Sequence, residues 1–320
     1  MSPTGQKQRQ RQVVVSEYLP MPFIDRLSEK CEVVYDPDLY GDHTRLLQAV
    51  SEADAIVIRN RTVIDQALLA AAKRLRVVGR LGVGLDNIDL KACSAAGVHV
   101  IPAIGANAVS VAEYVIGAAL VLMRGVFGMT PSMLRGEWPR QGHAFGRELA
   151  GKTLGLIGFG SIANEVAIRA GALGMVIVAH DPHVRADHPS WQAARRVELA
   201  RLLTVSDVVS LHVSLTAETR NLIDESAIAR MSPSTVLINT SRGGVVDESA
   251  LAAALREGRL GGAAIDVFQE EPLRTESAST FAGIDNLLLT PHVAGNTAES
   301  AARVAHVTVE AVLDALMRAL

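Results

Sequence analysis

An arginine, a glutamate and a histidine stand just past three successive apolar runs in the second half of the chain. Arg242 follows TVLINTS (235–241), Glu271 lies in the QEEP that follows GAAIDVF (262–268), and His292 follows NLLLTP (286–291). An imidazole takes or gives a proton near neutral pH, and a carboxylate beside it stabilises the charged ring and fixes its tautomer. A guanidinium forks onto an anion through paired N–H groups. Singly, each residue has a plainer role: arginines at strand ends cap carbonyls, Glu-Pro pairs sit in turns, and a histidine there can be merely hydrogen-bonded. Position favours chemistry. If the three runs are successive parallel strands, their side chains gather at the carboxyl edge of one sheet, where open α/β sheets bind ligands.

A nucleotide fingerprint stands upstream. Residues 154–163 read LGLIGFGSIA, an apolar strand entering Gly158-x-Gly160-x-x-Ala163 and then a helical pattern over 164–173. Gly158 permits a tight turn, Gly160 lets the backbone approach a pyrophosphate, and small Ala163 lets the helix pack on the strand. The helix N-terminus, at Ser161 and Ile162, then receives the phosphates. A second strand over 175–179 leads to Asp181, about twenty residues beyond Gly160, the spacing of a carboxylate that binds ribose hydroxyls and repels a 2′-phosphate. The expected cofactor is therefore NAD rather than NADP.

The chain resembles the NAD-dependent D-2-hydroxyacid dehydrogenases, most of all their D-3-phosphoglycerate dehydrogenase-like branch. The resemblance rests on RLGVGLDNID (80–89), ANAVSVAEYV (106–115), GRELAGKTLGLIGFGSIA (146–163), LHVSLTAETRNLI (211–223), LINTSRGGVVDESAL (237–251), AAIDVFQEEP (263–272) and LTPHVAGNT (289–297), in order along nearly the whole chain. It implies that Arg242 binds the substrate carboxylate and polarises the reacting oxygen, that His292 is the acid/base, and that Glu271 pairs with it. It also implies that Thr240 lies beside the nicotinamide and Asp266 near its carboxamide, with His292 to Gly295 closing the ring site. Arg59, with Arg61, matches the place where phosphoglycerate dehydrogenases direct an arginine at the substrate phosphate. Asn60 stands where a small residue is usual. The LGVG turn, with Val83 and Gly84, is expected to offer backbone N–H groups to the substrate carboxylate, and Asn107 a side-chain amide.

Two other classes stay open at this stage. Corepressor-like NAD-sensing binding modules share the implied fold. Formate dehydrogenase-like enzymes share the superfamily, but they call for glutamine beside the histidine, and Glu271 argues against them.

The 320 residues exceed a single usual core and suggest two domains. Hydrophobic residues make up 49% and aromatics only 4%, so packing must rest on Val, Ile, Leu and Ala. A net charge of −3 gives no reason to expect nucleic acid or an anionic membrane as partner. The two cysteines, Cys31 and Cys93, form no disulfide framework and suit a reducing cytoplasm. Residues 1–12 are polar, lack the apolar core of a secretory signal, and are expected to form a disordered tail. His180, His183 and His188 make no metal pattern, and His212 reads as a structural histidine.

The expected fold class is α/β with two doubly wound parallel-sheet domains. Short apolar runs at 13–15, 33–35, 55–58, 77–79 and 98–101 alternate with helical segments. The resemblance implies that residues 1–103 with 293–320 form a discontinuous flavodoxin-like substrate domain, the last helix returning to it. Residues 104–292 would be a Rossmann dinucleotide-binding domain inserted in it, with the crevice between the two. Residues 135–151 read as a connecting loop. The sequence stops after its last helix, so no regulatory tail domain is expected, and a homodimer is.

Overall fold

The computed structural model describes residues 9–140 and 146–318. The chain divides into two compact units, residues 1–107 with 297–320 and residues 108–296.

The first unit is built on β1 (Gln12–Val15), β2 (Glu32–Tyr35), β3 (Ala55–Ile58), β4 (Val77–Arg80) and β5 (His99–Pro102). They form one parallel sheet in the order β2-β1-β3-β4-β5, the flavodoxin-like order. β3 reads AIVI and is buried at every position, as a central strand covered on both faces must be. Three helices of this unit begin at aspartates. Asp42, Asp65 and Asp89 each accept the backbone N–H three residues on, from Arg45, Leu68 and Ala92, which satisfies one orphan donor of each helix end. The helix Ala298–Arg318 completes the unit. It lies so close to β4 that a side chain on Gly79 would come within 2.5 Å of Val312, and it buries Val309, Val312 and Leu316 against the sheet.

The second unit is a seven-stranded sheet of β6 (Thr153–Ile157), β7 (Val176–His180), β8 (Arg195–Arg196), β9 (Val208–Leu211), β10 (Val236–Asn239), β11 (Gly262–Ile265) and β12 (Leu287–Leu289). Its order is β12-β11-β10-β9-β6-β7-β8, with every pairing parallel. The order reverses between β6 and β9, the switch point of a Rossmann sheet. The three strands ahead of Arg242, Glu271 and His292 are therefore adjacent. The helix Ser161–Ala172 buries Ala163, Val166, Ala167 and Ala170 in the same core as Val111, Ala112, Val115, Ala118 and Ala119 of the helix Ala108–Arg124. Small side chains on both let the helices approach closely, which explains a well-filled core in a chain poor in aromatics.

The structure departs from the sequence-based expectations in three places. Residues 1–8 of the expected tail lie outside the described residues, but Arg9 already donates to Asp54 and Gln12 N–H bonds the same carboxylate at 2.9 Å, so order begins earlier than polarity suggested. Short helical turns at Phe127–Met129 and Thr130–Leu134 precede the expected connecting loop, of which residues 141–145 lie outside the described residues. β8 is two arginines, an edge strand with no apolar run to reveal it. Among the described residues no single helix is long and apolar enough to cross a membrane.

Candidate active site

The loop after β6 has the stereochemistry its glycines require. Gly158 adopts φ +84°, and a Cβ there would lie 2.5 Å from the His212 carbonyl oxygen. Only glycine fits. Gly160 is the reverse case: a Cβ built there meets nothing within 4 Å, which leaves a bare backbone surface at the start of the helix Ser161–Ala172. No side chain caps that helix, so its first N–H groups, at Ser161 and Ile162, remain suited to an anion. Asp181 stands one residue past β7. Its carboxylate accepts N–H groups from Phe159 at 2.8 Å, His183 at 2.8 Å and Val184 at 3.3 Å, which ties the acid to the glycine loop and leaves acceptor capacity for hydroxyls. Thr240 follows β10 in the same sheet, with its Oγ1 buried and without a hydrogen-bond partner among the described residues, a hydroxyl suited to a ligand. These residues fit a dinucleotide.

Past β10, β11 and β12 the chain makes three interlocked turns. Asn239 Oδ1 accepts the Ser241 N–H at 3.0 Å while its amide donates to the Arg242 carbonyl at 3.1 Å; this turn projects Arg242, whose Nη1 donates to the Ser241 carbonyl at 2.6 Å. Gly243 must be glycine, since a Cβ would meet the Phe268 carbonyl oxygen at 1.8 Å. The arginine turn is thus pressed against the turn that carries Glu271. Glu271 Oε1 accepts the Phe268 N–H at 3.0 Å, and its Oε2 meets His292 Nδ1 at 2.7 Å. One carboxylate thereby faces both backbone and imidazole, and the ring's other nitrogen has no hydrogen-bond partner among the described residues, with the His292 side chain 50% exposed. Glu248 adds a further acid: its Oε1 accepts the Gln269 N–H at 2.6 Å. Burial pushes its carboxyl upward, and the charges of Asp247 and Glu271 push the same way.

Asp266 is 1% exposed and follows β11 directly. Its Oδ1 accepts the Thr290 hydroxyl at 2.6 Å and the Val293 N–H at 2.9 Å, and its Oδ2 accepts the Ala294 N–H at 2.8 Å. Most of its capacity is spent on the chain around His292, while Oδ2 keeps room for one further donor. Gly295 follows on the same loop.

In the first unit the structure reveals a residue that sequence reasoning missed. Glu17, 4% exposed, follows β1 and accepts the N–H groups of Arg59 at 2.7 Å, Thr62 at 3.0 Å and Arg61 at 3.2 Å. The Asn87 amide clasps the same segment through the carbonyls of Arg59 at 3.1 Å and Thr62 at 2.6 Å. β1 and β3 flank the point where this sheet reverses its order, so the arginine loop sits at its carboxyl-edge switch point. The Arg59 guanidinium has no hydrogen-bond or ion-pair partner among the described residues. Arg61 is exposed and occupied: its guanidinium lies 4.9 Å from the Tyr40 ring centroid and donates to the Tyr40 hydroxyl. After β4, Gly82 has φ +144° and a Cβ there would strike Arg80 Nη1 at 2.0 Å; Arg80 in turn donates to the Leu81 carbonyl at 2.6 Å. That arginine braces the turn of Val83 and Gly84. Asn107 Oδ1 is buried without a hydrogen-bond partner among the described residues.

His212 is structural. Burial pushes its imidazole down to about 3, so the ring is neutral near pH 7, with Nε2 3.0 Å from Ser210 Oγ. Among the described residues no group of three or more His, Cys, Asp or Glu side chains could hold a metal ion.

Comparison with known proteins shows the family. Residues 116–294 match the NAD-binding domain of the D-isomer specific 2-hydroxyacid dehydrogenases. The chain is 50% identical over 305 residues to (S)-sulfolactate dehydrogenase of Chromohalobacter salexigens, covering 95% of this chain and 98% of that one. It is 38% identical over 289 residues to D-3-phosphoglycerate dehydrogenase of Methanocaldococcus jannaschii, covering 90% of this chain but 54% of that protein, about half its length. D-lactate dehydrogenase of Aquifex aeolicus, solved with NAD and lactic acid, shares the fold with a TM-score of 0.82 at 30% identity, over 97% of this chain and 96% of that one. The chain belongs to the D-isomer specific 2-hydroxyacid dehydrogenases. It is an NAD-dependent oxidoreductase acting on the CH–OH group of a 2-hydroxy acid.

Proposed function

We propose that the substrate is a small 2-hydroxy acid of D-type configuration bearing a second anionic group, as in sulfolactate, 3-phosphoglycerate or malate. The observation that carries this reading is Arg59: a half-buried guanidinium without a partner among the described residues, on a loop that Glu17 and Asn87 hold in place. A monoanion such as lactate would leave that charge unpaired. The relative named for (S)-sulfolactate agrees in charge and also in hand. Sulfur outranks the carboxylate oxygens in assigning the descriptor, so (S)-sulfolactate has the spatial arrangement of a D-2-hydroxy acid.

In this reading Arg242 holds the substrate carboxylate, His292 takes the hydroxyl proton during oxidation and returns it during reduction, and Glu271 supports the protonated ring. Val83, Gly84 and Asn107 add donors for the carboxylate, and Arg59 takes the second anion, with Arg61 joining it once released from Tyr40. Gly158, Gly160, Ser161 and Ile162 hold the pyrophosphate of NAD, Asp181 its ribose hydroxyls, and Thr240, Asp266 and Gly295 its nicotinamide end. Bound NAD supplies the hydride acceptor.

A panel of D- and L-2-hydroxy acids assayed with NAD on wild type and Arg59→Ala tests the substrate reading. Dianions of D-type hand should turn over best, and Arg59→Ala should raise their KM by about 10- to 100-fold, the worth of a charge-assisted contact, while leaving lactate nearly unchanged. Best activity on lactate, indifferent to the substitution, would refute it.

Cofactor preference is a separate expectation. With Asp181 fixed to the loop by three N–H groups, a 2′-phosphate would meet a like charge, so kcat/KM should favour NAD over NADP by about tenfold or more. Asp181→Ala should shrink that ratio, and a wild-type ratio favouring NADP would show the acid serves another purpose.

We further propose a cytoplasmic homodimer. Phe127, Leu134 and Trp138, large apolar side chains close together in the chain, are 62%, 83% and 74% exposed, as residues that a second copy covers would be, and both cysteines are free and buried. Leu134→Asp with Trp138→Ser should sediment as a monomer where wild type sediments as a dimer; a monomeric wild type would end the proposal.

A further inference from the structure

His292 holds a backbone conformation that a non-glycine residue rarely adopts, φ +55°, and the bonds that hold it there form a chain leading away from the site. The His292 N–H donates to the Asp266 carbonyl at 2.7 Å and to the Thr290 carbonyl at 3.0 Å. The Asp266 carboxylate straddles the same loop, taking the Thr290 hydroxyl on one side of His292 and the Val293 and Ala294 N–H groups on the other. Thr290 has one hydroxyl proton, and Asp266 Oδ1 takes it. The 2.6 Å contact between Thr290 Oγ1 and the Tyr114 hydroxyl therefore has Tyr114 as donor. Tyr114 stands on the helix Ala108–Arg124, whose buried face is anchored in the core. The direction of donation is fixed throughout: tyrosine to threonine to carboxylate.

We propose that Tyr114 and Thr290 are positioning residues for the acid/base His292, acting through Asp266. This rests on the assignment of His292 as acid/base. A non-glycine residue with positive φ persists only when its surroundings over-determine it. Here much of the over-determination runs through one carboxylate, which must stay in place. Buried with three donors, Asp266 needs the threonine proton to satisfy Oδ1, and the threonine needs the tyrosine proton to keep its own oxygen oriented. The phenol keeps its proton: burial raises its pKa, the charge of Asp266 raises it further, and the Thr290 bond opposes them less strongly. The consequence for chemistry lies in the ring. A loop free to relax would lengthen the 2.7 Å contact between His292 Nδ1 and Glu271 Oε2 and swing Nε2 away from the substrate oxygen, and displacements of about 1 Å cost up to 10²-fold. The charged groups around the ring are Glu271 directly, Asp266 beneath the loop, and Glu248 beside Glu271.

Tyr114→Phe, Thr290→Val and Thr290→Ser, beside His292→Ala, test the idea through kcat, substrate KM and cofactor Kd measured by quenching of protein fluorescence with NADH. Thr290→Val should lose about tenfold in kcat, with a smaller loss for Tyr114→Phe. The loss should fall on kcat, with substrate KM and cofactor Kd each changed by no more than about twofold. Thr290→Ser, which keeps the hydroxyl, should restore turnover. Tyr114→Phe removes one oxygen only, so it keeps the test decisive if the valine variant folds poorly. Wild-type kcat in Tyr114→Phe and Thr290→Val, with His292→Ala inactive, would overturn the positioning proposal alone. Wild-type turnover in His292→Ala would overturn the acid/base assignment beneath it.

Discussion

His292→Ala is expected to lose about 10²-fold or more in turnover in both directions, with cofactor binding nearly intact. The expectation follows from the ring's two nitrogens having separate duties. Nδ1 is committed to Glu271 at 2.7 Å, so Nε2 is the atom proposed to meet the reacting oxygen, and His212, held neutral, is tied to Ser210 instead. Glu271→Gln sharpens the test. Reduction needs a ring that carries a proton to the substrate oxygen, and Glu271 is the group that supports it. Replacing the carboxylate by a neutral amide removes the charge that stabilises imidazolium, and kcat for reduction should fall by about tenfold. Steady-state kcat for the three proteins, with cofactor titrations as control, decides it. Near-normal turnover in His292→Ala would remove the acid/base from the site.

Two of the three strands ahead of this site were legible in the sequence for a simple reason. β10 and β11 are buried at every position, and a strand covered on both faces must be an unbroken apolar run, whereas the edge strand β12 is only partly buried and showed itself by its three leucines. The glycine loop was equally readable, because each glycine answers a local demand of the turn. What stayed hidden depends on partners far away in the chain. Tyr114 and Thr290 are 176 residues apart, and Tyr114 reads only as one position in a helical pattern. Glu17 accepts from residues 42 to 45 positions on, and a lone glutamate after a strand shows nothing of that. Asp266 illustrates a different limit. Residue type and place marked it as important, but the same carboxylate can serve a ligand or the backbone, and only the positions of Thr290, Val293 and Ala294 show how much of it the loop consumes.

Arg242→Ala is expected to cost several kcal/mol of transition-state binding, about 10³-fold in kcat/KM, with the loss divided between kcat and KM. The division follows from the two tasks assigned to one guanidinium. Holding the substrate carboxylate contributes equally in ground and transition states and appears in KM. Polarising the oxygen at the carbon that exchanges hydride grows as charge develops and appears in kcat. The surroundings are built to keep the fork aimed: Asn239, 1% exposed, shapes the turn through both ends of its amide, and Gly243 lets that turn press against the chain leading to Glu271. Arg242→Lys should recover only part of the loss, since an ammonium keeps the charge but not the planar pair of donors that matches a carboxylate. If arginine served only to cap the Ser241 carbonyl, lysine and alanine variants would both fall in stability and neither would lose much in kcat/KM at a temperature where they stay folded. Measuring kcat/KM beside thermal unfolding for the two variants separates these outcomes, and a loss under about threefold in Arg242→Ala would exclude the arginine from the reaction.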